Sequence, residues 1–97
     1  MRVIARKVLS DFWVRHPRAE QPLKAWFAEA RKASWRRPRD IKEAYRSASI
    51  AGNNRVVFNI AGNEYRLVAV VHYSTGIVFI RFIGTHASNY RIDAETV

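Results

Sequence analysis

Four side chains in the last third of the chain have the types needed to cut a phosphodiester: Arg66, Arg81, His86 and Tyr90. A guanidinium presents a planar fork of N–H donors, binds phosphate oxygens in pairs and stays charged at any working pH. An imidazole exchanges protons near neutrality. Together with a phenol these groups suffice to cleave RNA without a metal. A base takes the proton of a 2′-hydroxyl, the 2′-oxygen attacks phosphorus, and the arginines stabilise the charge of the transition state. Arg66 interrupts "EYRLVAVV" and Arg81 interrupts "IVFIRFI". A charge inside such an apolar run is costly unless its head reaches water or an anion. His86 follows the second run directly, with Tyr90 four residues on. The competing reading is structural: a strand arginine is often an ion-pair partner, and Glu64 and Asp93 are candidates for that role.

Other chemistries find little support. The chain holds no cysteine, which excludes disulfides and thiolate chemistry. It has no P-loop, no GxGxxG and no zinc pattern, and His16, His72 and His86 lack short metal-ligand spacing. No cofactor and no metal site are expected. His16 and His72 read as packing or surface residues.

Those four residues have to be positioned by the rest of a short chain. Its 97 residues allow one domain, taken as 1–97, with a modest core. Hydrophobic residues at 48% favour folding over disorder. No apolar run approaches the length of a membrane span, and the start "MRVIARKVLSDFWVRH" lacks a signal-peptide core, so a cytoplasmic location without membrane attachment is expected. Seventeen Lys and Arg against eight Asp and Glu give a net charge of +9 and a pI near 10.9. A field of that sign attracts phosphate backbones or an acidic protein partner. The basic run from Arg31 to Lys42 is the natural grip for RNA backbone, through Arg36, Arg37, Arg39 and Lys42. Trp35 within it either stacks on a base or packs beneath the connection, the second being the commoner fate.

"RVIAR" alternates as a short strand does. Leu9, Phe12, Trp13 and His16 recur on one helical face until Pro17 stops the helix. A second helix is expected from about Glu20, with Pro22 in its first turn and Leu23, Trp26, Phe27 and Ala30 on its apolar face. Pro38 is expected to break any helix in the connection that follows, where Asp40 could cap a short turn. From Arg55 the period becomes two. "RVVFNI" and "EYRLVAVV" read as a hairpin closed around Gly62 and Asn63, and "IVFIRFI" as a third strand. A two-residue turn there sets Asn59 opposite Arg66 and Phe58 opposite Leu67. Asn59 and Arg66 then share one sheet face, and Phe58, Ile60, Tyr65 and Leu67 the other. The fold class is α+β: an N-terminal strand and a two-helix hairpin packed on a mainly antiparallel sheet, whose other face is free for work.

"RVVFNIAGNEYRLVAVV", "VFIRFIGTH" and "YRIDAETV", with "DIKEAYRSAS" and the opening "MRVIARKVL", resemble the HigB-type toxins of bacterial type II toxin–antitoxin modules, within the RelE-like ribonuclease superfamily. The resemblance spans nearly the whole chain. It implies a microbial-ribonuclease-like α+β fold and a toxin that cleaves messenger RNA, commonly on the ribosome. It also implies neutralisation by a cognate antitoxin, often a HigA-type helix-turn-helix protein. Its catalytic pattern carries over to Arg66, Arg81 and His86, while Arg55 and Asn59 match positions that contact RNA. Where the family runs "THAEYD", this chain has "THASNY", so the phenol of Tyr90 is shifted by one position. One such step in a helix turns a side chain by about 100°. Two other functions use the same charge without catalysis: an RNA-binding module that does not need His86, and a protein that only binds an acidic antitoxin segment.

Overall fold

The computed structural model describes residues 1–89, 94, 95 and 97. Strand β1 (Arg2–Ile4) leads into helix α1 (Arg6–Arg15), which ends as the chain reaches Pro17. A single 3-10 turn (Pro17–Ala19) passes directly into α2 (Glu20–Lys32). Pro22 sits in the first turn of α2, where its missing N–H costs nothing. Helix α3 (Pro38–Ala44) and a two-residue strand β2 (Ser49–Ile50) follow. The main strands are β3 (Arg55–Ile60), β4 (Tyr65–His72) and β5 (Ile77–Thr85), and a short helix α4 (His86–Asn89) continues from β5. No helix among the described residues is long and apolar enough to cross a membrane.

The five strands form one sheet in the order β1-β5-β4-β3-β2, antiparallel except where β1 runs parallel to β5. The helices cover one face. Leu9, Phe12, Leu23, Trp26, Ala30 and Ile41 meet Val56, Phe58, Ile60, Tyr65, Leu67, Ala69, Val71, Val78 and Ile80 in a single core. Phe58 anchors it: the rings of Trp26, Tyr45 and Trp35 lie 5.2, 5.3 and 6.0 Å from its own. Trp35 is thereby a packing residue, only 6% exposed. Truncating a ring in such a cluster to alanine typically costs about 3–5 kcal/mol.

The hairpin register is the expected one, with Phe58 opposite Leu67 and Asn59 opposite Arg66. Gly62 takes positive φ in the turn, and so does Ala61. A one-residue slip of β4 would turn Tyr65 and Leu67 out of the core and Arg66 into it, so core packing and Arg66 direction are fixed together.

The connection after α2 differs from expectation. Pro38 begins a helix rather than breaking one, because it occupies the first helical position. Asp40 reaches back to accept the backbone N–H of Arg36 at 2.9 Å, which satisfies a donor at the entrance to the helix.

Candidate active site

Arg66 is the second residue of β4, on the sheet face turned away from the helices. Its neighbours across the sheet are Asn59 on β3 and Gly84 on β5. Gly84 carries no side chain, so β5 adds none directly opposite Arg66. The guanidinium reaches His86, with Arg66 Nη2 2.9 Å from His86 Nε2. His86 is held from two sides. The pairing of Tyr65 with Thr85 brings the end of β5 alongside the start of β4, and the N–H of His86 donates to the carbonyl of Glu64 at 3.0 Å.

The direction of the Arg66–His86 bond fixes a proton. A guanidinium only donates, so Nε2 of His86 accepts and carries no hydrogen. The ring proton then sits on Nδ1, and the Nε2 lone pair is directed at the Arg66 guanidinium. Nε of Arg66 is buried with no partner among the described residues. Glu64, a candidate ion-pair partner from sequence, instead binds Arg18 at 2.7 Å. Among the described residues no Asp or Glu side chain forms a salt bridge with Arg66. Asp93, the other candidate, lies outside the described residues, as does Tyr90.

Arg81 does not follow simple strand alternation. On β4, Val68 and Ala69 are consecutive, but they pair with Phe82 and Ile80, so Arg81 is the extra residue of a β-bulge. A bulge leaves its extra residue out of the ladder and re-aims its side chain. The Arg81 head lies with Arg55 rather than with Arg66. Arg55 Nη2 and Arg81 Nε donate to the main-chain oxygen of Val97 at 2.9 and 3.3 Å. Asn59 donates its amide N–H to the carbonyl of Ser47 at 3.0 Å, and its Oδ1 is buried without a partner among the described residues.

The basic run occupies the other end of the molecule. Arg36 borders a cleft of about 290 Å³ with Tyr73, Ser74, Thr75 and Gly76, beyond the far end of β4. Seven residues of strand separate Arg66 from Tyr73, roughly 20 Å. Arg36, Arg37 and Arg39 are exposed. Lys42 is exposed too, but its ammonium is committed to the carbonyls of Arg46 and Ala48 at 2.8 and 2.7 Å. His16 stacks on Phe12 at 4.3 Å and meets Tyr65 on the helix-covered face, and His72 meets the edge of Phe79 at the far end of β4.

The sequence did not single out Gly84 or the segment around Val97. Counting residues across the β4–β5 pair would have flagged Gly84, whereas nothing local announces where the tail lies. Among the described residues no cluster of three or more His, Asp or Glu side chains could hold a metal ion. The arrangement can bind an anion at Arg66, accept a proton at His86 and hold further negative charge at Arg55 and Arg81.

Residues 19–91 match the family model described as HigB_toxin, RelE-like toxic component of a toxin–antitoxin system. The chain is 30% identical over 88 residues to the mRNA interferase toxin HigB of Escherichia coli (strain K12), covering 89% of this chain and 85% of that protein. The mRNA interferases HigB of Escherichia coli O157:H7 and Shigella flexneri match with the same identity and coverage.

Proposed function

This chain belongs to the HigB toxin family, the RelE-like toxic component of a toxin–antitoxin system, and from that premise we propose that it is a metal-independent endoribonuclease that cleaves mRNA, on the ribosome, in the cytoplasm. The observation that carries the chemistry is the 2.9 Å contact between Arg66 Nη2 and His86 Nε2. It joins a permanent cation to an unprotonated imidazole nitrogen at one end of the sheet face turned away from the helices.

The steps follow from that pair. A scissile phosphate draws the Arg66 fork onto its non-bridging oxygens, because a charged acceptor outcompetes a neutral ring nitrogen. Nε2 of His86 is then released and accepts the 2′-hydroxyl proton. The 2′-oxygen forms its bond to phosphorus as the bond to the 5′-oxygen breaks, that oxygen takes a proton from water, and His86 returns its proton to the hydroxide left behind. The products are a 2′,3′-cyclic phosphate and a 5′-hydroxyl. Arg66 stabilises the extra charge on phosphorus as it develops, and Arg81 steadies the substrate's phosphates further along the sheet.

The partner is a cognate antitoxin, a HigA-type helix-turn-helix protein, drawn to a toxin of net charge +9. Induction of the chain alone, with RNA ends mapped, tests the reading. Growth arrest and messages ending in 2′,3′-cyclic phosphate are expected, with relief on co-expression of the antitoxin. Undisturbed growth and intact messages at high soluble expression would refute it.

A further inference from the structure

Two buried polar atoms without a partner among the described residues belong to residues that oppose each other across the sheet: Nε of Arg66 and Oδ1 of Asn59. The first only donates and the second only accepts. The other buried atoms in that condition, Nε1 of Trp26 and Nε of Arg55, sit on residues that are not paired with each other or with these two. Buried polar atoms in folded proteins are nearly always satisfied, so a matched donor and acceptor left open at one site call for a functional reason.

The Asn59 amide is set by its other neighbour. Its Nδ2 donates to the carbonyl of Ser47 at 3.0 Å, and a carbonyl only accepts, so the nitrogen lies on that side. The carbonyls flanking Ser47, those of Arg46 and Ala48, are both bound by Lys42 Nζ, which steadies the segment that presents it. Ser47 precedes β2, and β2 pairs with β3 on the edge away from β4. Nδ2 is thus drawn away from β4, and Oδ1 is the arm left for Arg66. Of the two cross-strand neighbours of Arg66, Gly84 has no side chain, so Asn59 is the one that can meet it. Opposed Cβ atoms lie about 4.5–5.5 Å apart, a gap that Nε and Oδ1 close after a turn of the Arg66 side chain. In the structure the bond from Nη2 to His86 sets where the guanidinium lies, and Nε makes no bond among the described residues.

Resting on the nuclease reading above, we propose that Asn59 is a positioning residue: when the scissile phosphate draws Arg66 from His86, Nε of Arg66 moves onto Oδ1 of Asn59. Anchoring Nε leaves the N–H groups of Nη1 and Nη2 as the free end of the fork, the edge that takes two phosphate oxygens together. The bond forms only with phosphate bound and satisfies both open atoms at once, so it favours the bound and transition states over the free protein. Asn59 acts on RNA through Arg66 rather than by touching it.

The test pairs kinetics with a signal from Arg66 itself. Asn59→Ala should lower kcat/KM for message cleavage by about 10- to 100-fold, the worth of one hydrogen bond to a charged group. In an Arg66→Lys background, which has no Nε to place, the same change should cost less than about threefold. An equal loss in both backgrounds would make Asn59 a structural residue and overturn the proposal, and so would an Asn59→Ala chain that cleaves within about threefold of the parent. The second measurement uses the parent protein, so it stands even if Asn59→Ala misfolds. The Nε–H resonance of Arg66, assigned by its loss in Arg66→Lys, is followed while an RNA oligonucleotide methylated at every 2′-oxygen, which binds but cannot be cut, is added. It should move downfield and exchange more slowly with water as RNA binds, and should do neither in Asn59→Ala. A signal unmoved by bound RNA, or moved equally in Asn59→Ala, would overturn the proposal. The two readings fail separately. The expected signal in samples that cleave no message removes the nuclease and leaves Asn59 setting Arg66 on a phosphate, whereas cleavage by a parent whose signal stays unmoved does the reverse.

Discussion

Replacing Arg66 with alanine should separate activity from stability, and the structure sets both magnitudes. Among the described residues the Arg66 side chain makes one hydrogen bond, to His86, and its buried Nε has no partner. A hydrogen bond involving a charged group contributes about 1.5–3 kcal/mol, while a buried unsatisfied donor costs about 1–3 kcal/mol. The two nearly cancel, so Arg66→Ala should change stability by no more than about 1 kcal/mol. For a domain of this size that is a shift of roughly 4–8 °C in Tm at most. Cleavage should respond quite differently. Loss of a preorganised donor to a developing oxyanion typically costs about 100- to 1000-fold, or about 2.7–4 kcal/mol of transition-state stabilisation. His86→Ala should cost about 100- to 10,000-fold, as expected for a positioned base. The double variant should be little worse than the poorer single one, since the two groups act as a unit. Arg66→Lys keeps the charge but not the fork and should recover only part of the lost rate. Single-turnover cleavage of message on ribosomes gives the rates, and thermal unfolding by circular dichroism gives Tm. If Arg66→Ala cleaves within about threefold of the parent rate, against the expected loss, the catalytic role fails. If activity and fold collapse together, Arg66 is a structural residue and the near-cancellation argued from its hydrogen bonding is wrong.

Tyr90→Phe should reduce cleavage less than tenfold, well below the roughly 100-fold or greater cost of removing a positioned acid or base; a complete loss would move the proton-transfer role from His86 to Tyr90. Arg36→Glu and Arg37→Glu should weaken association with RNA or ribosomes broadly and lower the salt slope by up to about one unit for each phosphate no longer gripped. An unchanged slope would place both arginines in plain solvent, and the distance from Arg66 predicts that cleavage of very short RNAs will be indifferent to either change. Cleavage should survive EDTA treatment of the purified protein followed by assay with ribosomes whose magnesium is restored separately. Rescue of a lost activity by one added transition metal would contradict a site built from guanidinium and imidazole alone.

Residue spacing alone was enough to specify the elements whose residues interact with near neighbours. Helical spacing marked Leu9 and Phe12, then Leu23 and Trp26, as inward-facing, and they are buried. Alternation about Gly62 and Asn63 placed Asn59 opposite Arg66, because turn length and a one-sided core leave a hairpin little freedom. The remaining features depend on packing between distant segments. Whether Pro38 breaks a helix or begins one depends on which side of it the helix lies, and Ile41 docking into the core settles that. The bulge at Arg81 is a mismatch between two strands and has no signature within either one. Arg66 and His86 are 20 residues apart and meet because β5 returns alongside β4 and the carbonyl of Glu64 holds the N–H that follows it. Arg55 and Arg81 are brought to the same oxygen by a tail that carries no periodicity. Local periodicity fixes which way a side chain points; which distant side chains it meets depends on strand order and on how the chain ends return to the sheet.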